Sequence, residues 1–180
     1  MKYMGLMHYF LLLEVWQGDG EIFVYWGKYA SEILHIFHME NCNPMDTPLA
    51  INWRKENATL GEEFDATIYR PLVGYLMYLV NTRPDMCYAL NPLSQAMVRP
   101  TMLYWKASNH VLWYLRGTTK YGLWYRRTKG VKLQGFIDAY FAWIPPNRKS
   151  TSGAIFSVGS TCISRYNMKQ RPVVLNLAEV

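Results

Sequence analysis

The chain has 180 residues, which is enough to bury one good hydrophobic core or two small ones. Because 51% of the residues are hydrophobic and 16% are aromatic, the composition excludes an intrinsically disordered chain. The net charge of +6 is unevenly spread: residues 1–105 carry 7 Lys/Arg and 11 Asp/Glu, whereas residues 106–180 carry 12 and 2, a net of +10. This asymmetry indicates a polyanion partner for the C-terminal part, with a basic solvated surface as the alternative.

Residues 1–50 predict a β-hairpin followed by a helix. The segments Leu6–Val15 and Glu21–Trp26 are rich in residues that favour strands, and the turn residues Gln17–Gly20 lie between them. Apolar residues then recur at helical spacing from Lys28 to Met39. The Asn and Pro residues of the following segment, Asn41–Pro44, end that helix.

A polar linker and three helices are predicted next. Residues 51–66 are polar with little periodicity, which is typical of a linker or surface loop, and residues 67–120 are helical. Pro71 is expected in the first turn of its helix, where its missing N–H would have no partner. Gly117 is expected to end the last helix. The first predicted helix is Tyr69–Leu79, the second runs from about Pro84 or Asp85 to Val98, and the third is opened by Arg99-Pro100-Thr101 and runs to Arg116.

Residues 121–180 change to a period of two, which predicts strands. Tyr121–Arg126 and Lys132–Ala142 are expected to pair across a turn at residues 128–130. Ala154–Val158 and Cys162–Tyr166 are expected to follow, joined by a Gly-Ser turn. The pattern over the whole chain therefore predicts an α+β fold.

Cysteine spacing and apolar segments bear on the cellular compartment. Cys42, Cys87 and Cys162 are far apart, and none has a second Cys or His at zinc-ligand spacing. We therefore expect reduced thiols in an intracellular protein, cytoplasmic or nuclear. The apolar run Leu6–Leu13 has no small-x-small cleavage site after it, so a strand is favoured over a signal peptide. The run Leu72–Val80 is far shorter than the ~20 residues that span a bilayer, and no membrane association is expected.

Basic residues of the C-terminal part collect on the end of the third helix, on the first predicted strand pair and on a later loop. Tyr114, Trp124 and Tyr125 are interleaved with them and are able to stack on bases, with a place in the core as the alternative. Phosphate contacts need only positive charge in roughly the right place. We therefore expect weak, salt-sensitive binding to RNA–DNA hybrid or single-stranded nucleic acid. The candidate contacts are Arg116, Lys120, Arg126, Arg127, Lys129, Lys132, Arg148 and Lys149.

Blocks along the chain resemble the Pol polyproteins of Ty1/copia-type retrotransposons. Residues 69–85 contain the most specific of them, including Leu72-Val73-Gly74 and Thr82-Arg83-Pro84-Asp85, and His8-Tyr9-Phe10-Leu11 resembles the strand after the polymerase active site. Gly135–Ala142, followed by Asn147–Gly153, resembles the opening of the ribonuclease H domain. The resemblance implies the end of a reverse transcriptase palm/thumb region in residues 1–50 and a helical thumb/connection segment in 67–120. For residues 121–180 it implies a truncated ribonuclease H-like domain with a mixed β-sheet.

The resemblance also implies metal-assisted chemistry in the intact family, where carboxylates hold pairs of Mg²⁺ ions. The family's polymerase aspartates come from a Tyr-x-Asp-Asp turn, and this chain contains no Asp-Asp pair. Asp138 matches the first ribonuclease H metal ligand, but Tyr140 stands where the second acid of an Asp-x-Asp pair is usual. Glu179 matches a glutamate of a later motif that is not a ligand, with a shift of register that would make it the ligand as the alternative. We therefore expect a vestigial and incomplete metal site at Asp138, no cofactor and no enzyme activity.

Two further expectations concern protein surfaces. A fragment reused as a protein-interaction module, or as a secreted effector-like protein without enzyme activity, is the alternative function. Its support would be an exposed apolar surface and binding that ignores salt. A truncated sheet with an uncovered apolar face and an open edge also predicts poor solubility or self-association.

Overall fold

The computed structural model describes residues 5–128, 130–140, 151–159 and 161–169. The described residues form helices and two antiparallel sheets, which confirms the predicted α+β class. They divide into two compact units, one ending at Trp124 and the other beginning at Tyr125, and each is described by itself. Within the described ranges no helix combines the length and the apolar composition needed to cross a membrane.

The first sheet contains four strands in the order β1-β2-β3-β4. The predicted turn between β2 and β3 is confirmed, with Gly18 opposite Glu21. The prediction of one continuous strand over Leu6–Val15 was wrong, because Leu11 and Leu12 both have positive φ and reverse the chain as a two-residue turn. Leucine rarely occupies such positions, so the sequence gives no signal for this turn. The strands are β1 (Tyr9–Phe10), β2 (Leu13–Gly18), β3 (Glu21–Tyr25) and β4 (Gly122–Arg126).

The fourth strand corrects a predicted pairing. Tyr121–Arg126 was expected to pair with the next strand along the chain, but β4 lies beside β3 in the first sheet. Gly122 makes this neighbour possible, because a Cβ at that position would lie 2.3 Å from the Val24 carbonyl oxygen and 2.6 Å from the Tyr25 Cβ. A residue without a side chain is therefore required where β4 approaches β3.

Within the described residues, the four predicted helices occur in the predicted order with shifted ends, and a short unpredicted helix, Lys55–Ala58, lies in the segment expected to be a linker or surface loop. The helix predicted from Tyr69 begins three residues earlier, because the Asp65 side chain accepts a hydrogen bond from the Thr67 N–H at 2.7 Å, which caps the helix. Pro71 therefore lies in the second turn and not in the first, a correction to the sequence prediction. The helices are α1 (Gly27–Ile36), α2 (Lys55–Ala58), α3 (Ala66–Leu79), α4 (Cys87–Gln95) and α5 (Met102–Gly117), with a 3₁₀ turn at Pro84–Met86.

The hydrophobic core of the first unit lies among α1, α3, α4 and α5. Apolar side chains at helical spacing on α3 and α5 are fully buried in it, which explains why α3 continues past a proline. Tyr69 is buried among them, and its hydroxyl donates to the Leu93 carbonyl oxygen at 2.9 Å. Burial raises the pKa of this phenol. The largest fully buried side chains include Ile33, Leu72, Leu76, Leu90, Leu112 and Leu115.

The second unit contains a three-stranded sheet in the order β5-β6-β7, formed by β5 (Leu133–Tyr140), β6 (Thr151–Val158) and β7 (Thr161–Lys169). The mixed β-sheet predicted for this part was wrong for the described strands, because β6 is antiparallel to both of its neighbours. The predicted pairing of the last two strands is confirmed, and their register shifts at Phe156/Ser157. Leu133, Phe136 and Ile137 on the outer strand β5 are exposed. Self-association through an open edge of this sheet stays a prediction.

Candidate functional site

Two of the predicted nucleic-acid contacts lie in the first unit, at the end of α5. Arg116 is in the last turn of the helix, and its Nε donates to the Glu40 carbonyl oxygen, so this side chain holds the segment after α1. Lys120 is exposed after the helix and lines a groove on the first sheet. Lys120 is therefore the better placed of the two to contact a ligand.

Three further predicted contacts lie in the second unit, close together along the chain. Arg126 is the last residue of β4, Arg127 follows it, and Lys132 precedes β5, and all three are exposed. The Lys132 carbonyl oxygen accepts a hydrogen bond from the Gly159 N–H at 2.9 Å, which fixes the backbone at the start of β5. The remaining predicted contacts, Lys129, Arg148 and Lys149, lie outside the described residues.

The predicted metal ligand lies on the second sheet. Asp138 is in β5 with its Cα opposite that of Gly153, and its side chain lies outside what the structure describes. Among the side chains that are described, no group of three or more His, Cys, Asp or Glu residues is placed to hold a metal ion. Cys42, Cys87 and Cys162 are half-buried and free in the structure.

A groove of about 740 Å³ lies over one face of the first sheet. Its apolar side is an aromatic cluster: the Trp16 and Trp124 ring centroids are 5.8 Å apart, and Phe23 lies 5.0 Å from Trp124. Tyr25 stacks on Phe23 at 5.0 Å. The cluster is half open to solvent, with Trp16 48% and Trp124 39% exposed. The groove is lined by Glu14, Trp16, Phe23, Tyr25, Gly27, Lys28, Ser31, Glu32, Thr119, Lys120 and Trp124.

Strand alternation and register produce this aromatic face. Trp16 lies opposite Phe23 in the β2–β3 ladder, so both side chains leave the sheet on the same side. The Trp16 ring packs over Gly18, where an added Cβ would lie 2.5 Å from the indole. Trp124 reaches the same face from β4, and its Nε1 donates to a Glu21 carboxylate oxygen at 2.9 Å.

Glu14 links the groove to the start of α1. One of its carboxylate oxygens accepts the Lys28 backbone N–H at 2.8 Å, and the other accepts the Tyr9 and Tyr25 hydroxyls at 3.3 and 3.4 Å. Trp26 supplies no side-chain cap to this helix, so Glu14 takes that role from another strand. Burial, with Glu14 beside it, raises the pKa of the Tyr25 phenol. The charge of Glu14 is therefore committed to holding α1 on the sheet.

Three other charged side chains line the groove: Lys28, Lys120 and Glu32. The Lys28 Nζ lies 4.4 Å from the centre of the Tyr9 ring, a cation–π contact. A hydrogen bond with the Tyr9 side chain raises the pKa of the lysine. The sequence predicted nucleic-acid contacts at Lys120 and Trp124. It gave no such prediction for Trp16 and Lys28, which come from a distant part of the chain. Trp16 lies just after the predicted strand Leu6–Val15, and Gly18 lies in the predicted turn, so no local pattern marked either as part of a site.

The sequence did not predict a buried network of charged and polar side chains around Arg83. Arg83, whose side chain is 3% exposed, contacts the Asp85 carboxylate at 2.7 Å. Its other donors reach the Thr118 carbonyl oxygen at 2.9 Å and the Thr118 hydroxyl at 2.7 Å. The Tyr114 hydroxyl donates to Asp85 at 2.7 Å, and burial together with this carboxylate raises the pKa of Tyr114 to about 12. The network joins the α3–α4 connection to the end of α5, so its role is structural.

Comparison with known proteins gives relatives over nearly the whole chain. An uncharacterized mitochondrial protein of Arabidopsis thaliana is 34% identical over 174 residues, covering 97% of this chain and 72% of the relative. The retrovirus-related Pol polyprotein from transposon RE2 of Arabidopsis thaliana is 34% identical over 173 residues. That match covers 96% of this chain but 12% of the polyprotein.

A third relative covers a shorter part. Secreted RxLR effector protein 161 of Plasmopara viticola is 42% identical over 112 residues, which is 62% of this chain and 79% of the relative. No family model matches the chain, and no solved structure matches it. The relatives that match nearly the whole chain agree with the resemblance noted in its sequence. The chain belongs to the family of copia-type retrotransposon Pol polyproteins.

Proposed function

We propose that this segment of a copia-type Pol polyprotein binds RNA–DNA hybrid or single-stranded nucleic acid through the basic residues of its C-terminal part. The observation that carries the proposal is the net charge of +10 over residues 106–180. Lys120, Arg127 and Lys132 support it, because their side chains are exposed where a phosphate backbone can reach them.

The ancestry of the chain assigns its segments, whose boundary at residue 121 is not that of the two structural units. Residues 1–50 correspond to the end of a reverse transcriptase palm/thumb region, and residues 67–120 correspond to the helical thumb/connection segment. Residues 121–180 correspond to part of a ribonuclease H-like domain. The similarity to a Pol polyprotein over 96% of this chain supports the assignment.

The same proposal holds that this segment carries no complete catalytic centre. Two-metal chemistry needs several carboxylates around two ions. The sequence has no Asp-Asp pair, and Asp138 has Tyr140 in place of a second acid. Binding then depends on positive charge and stacking, with Mg²⁺ needed only by the intact family's active centres.

Magnesium-dependent cleavage is therefore expected to be absent. A labelled RNA–DNA hybrid incubated with the chain and Mg²⁺ should stay intact, since Asp138 alone cannot hold two metal ions. The Asp138→Asn variant serves as the matched control and should behave as the parent chain does. Cleavage that requires Mg²⁺ and disappears in Asp138→Asn would show that the centre is complete.

Removing one basic side chain from the second unit is expected to change the salt dependence of binding. Arg127→Gln should lower the slope of log K against log salt concentration by about 0.7–0.9, the value for one lost phosphate contact. The measurement is fluorescence anisotropy with a labelled hybrid at several salt concentrations.

Arg54→Gln is the matched control for that variant. Arg54 is also an exposed arginine, but it lies in the half of the sequence with net negative charge. Its loss should leave the slope unchanged. Equal slopes for Arg127→Gln and the parent chain would contradict a contact at Arg127, and equal losses in both variants would indicate nonspecific charge effects.

A protein-interaction module is the second candidate function. The observation that favours it is the exposed apolar surface along the first described segment of the chain, where Leu6, Phe10, Leu11 and Leu12 are all exposed. The similarity to a protein named as a secreted effector supports the same alternative. Binding to a protein partner that is insensitive to salt would favour this function over the first.

A further inference from the structure

We propose that the groove of the first unit is a subsite for an unpaired base, which stacks on Trp16 and Trp124 while the adjoining phosphate lies against Lys120. This inference rests on the proposed nucleic-acid binding and adds to it the ligand class, a single strand, and the side chains that take the base. None of the groove's lining residues belongs to the second unit.

Two tryptophans lie side by side in the groove and are both partly exposed. Trp16 and Trp124 leave 48% and 39% of their surface open, although indole rings gain most by complete burial. Their rings are inclined at 48° to each other, and both residues line the groove. Every nucleobase has a π-face, and stacking on aromatic side chains is how proteins bind single strands without regard to sequence.

The Trp16 ring is held in place by its neighbours. Its indole packs on Gly18 and is flanked by Trp124, while Trp124 is anchored through its Nε1 to Glu21. A ring already fixed before binding loses little conformational freedom when a base stacks on it. The volume of about 740 Å³ falls within the usual range for sites that hold small ligands, so a nucleotide fits.

The charged side chains that line the groove favour an anionic ligand. Of the two carboxylates that line the groove, Glu14 is committed to the start of α1 by its bond to the Lys28 N–H. Lys28 and Lys120 also line the groove and are both cationic. Lys120 lies in the segment that follows α5, and its side chain is exposed. Glu32 is the remaining acid, and it opposes a polyanion. Its removal therefore distinguishes a nucleic acid from a cationic ligand such as a basic peptide.

The test measures binding of a labelled oligothymidylate and of a duplex of the same length by fluorescence anisotropy. Trp16→Leu should weaken binding of the single strand by about fivefold to a hundredfold, the range for loss of one stacked base. The salt slope should stay the same, because no phosphate contact is removed. The duplex, whose bases are already stacked, should bind with unchanged affinity.

Two further variants keep the test decisive if Trp16→Leu folds poorly. Gly18→Ala pushes only the far end of the Trp16 ring, so it should weaken single-strand binding while the thermal midpoint stays close to that of the parent chain. Glu32→Gln should strengthen single-strand binding, because an opposing charge is lost. Tighter binding of single strands by Gly18→Ala, or weaker binding by Glu32→Gln, contradicts the subsite.

The outcomes separate this inference from the function on which it rests. If the parent chain binds nucleic acid with a steep salt slope but Trp16→Leu and Gly18→Ala bind the single strand equally well, the subsite is wrong and the proposed function stands. If the parent chain binds no nucleic acid at low salt, both are overturned. A selective loss of single-strand affinity in both variants supports both.

Discussion

Replacing Arg83 with methionine is expected to lower the free energy of unfolding of the first unit by about 3–5 kcal/mol, the usual cost of breaking a buried ion pair from one side. The variant leaves the Asp85 carboxylate without its cation and the Thr118 carbonyl oxygen without its donor. Methionine fills much of the volume of arginine, so a cavity contributes little to the loss. Urea unfolding of both proteins at pH 7 measures the difference.

Two variants control this result. Arg99→Met removes an arginine whose ion pair with Glu63 is on the surface, and its unfolding midpoint should stay close to that of the parent chain. The double variant Arg83→Met/Asp85→Asn removes both charges and should recover part of the lost stability. An Arg83→Met protein as stable as Arg99→Met would contradict a structural role for the network.

The loss should also depend on pH in a defined direction. Burial alone would raise the pKa of Asp85, but the hydrogen bonds and charge of Arg83 outweigh it and hold the pKa below its usual range. The folded-state pKa thus lies below the unfolded value of about 4, so the stabilisation is present above that value and lost as the pH falls through the folded pKa. The stability difference between parent chain and Arg83→Met should therefore shrink on acidification below about pH 4.

Gly122→Ala is expected to have the second large effect, a loss of about 3 kcal/mol or more through overpacking. The new methyl group would lie 2.3 Å from the Val24 carbonyl oxygen and 2.6 Å from the Tyr25 Cβ. Because these are backbone atoms and a Cβ, no rotamer change relieves the clash, and β4 must separate from β3. The measurement is thermal or urea unfolding together with hydrogen exchange of the β3 amides, which should become faster.

Gly74→Ala is the matched control, since it makes the same substitution with the opposite expected sign. Gly74 lies inside α3, and a Cβ there would meet nothing within 4 Å. Alanine should therefore stabilise the helix by about 0.5–1 kcal/mol. If Gly122→Ala were as stable as the parent chain, the close approach of β4 to β3 would be wrong.

Helices were more predictable from this sequence than strand partners. Periodic apolar residues located α3 and α5, because their inward faces are continuous along the chain. The start of α3 was missed because the Asp65 cap extends it, and burial of its apolar face sustains the helix through Pro71. The partner of β4 could not be read locally, because β3 lies far away along the chain and Gly122 alone marks the contact.

The residues of the candidate site also divide into those that local sequence predicted and those that depend on strand pairing. Lys120 and Trp124 were identified from the sequence because they lie in the basic C-terminal part. Trp16 and Lys28 were not, since they come from β2 and α1 and join the groove only through sheet pairing. The sequence thus indicated a polyanion partner from charge, whereas the aromatic surface required the tertiary structure.

The most direct test of the account is an anisotropy titration of a labelled RNA–DNA hybrid with the parent chain across a series of salt concentrations. If the basic residues bind nucleic acid, we expect measurable binding at low salt. The log of the binding constant should then fall linearly with log salt concentration, with a slope that corresponds to several phosphate contacts. Absence of binding at low salt, or an affinity that does not change with salt, would contradict a nucleic-acid role for the basic part of the chain.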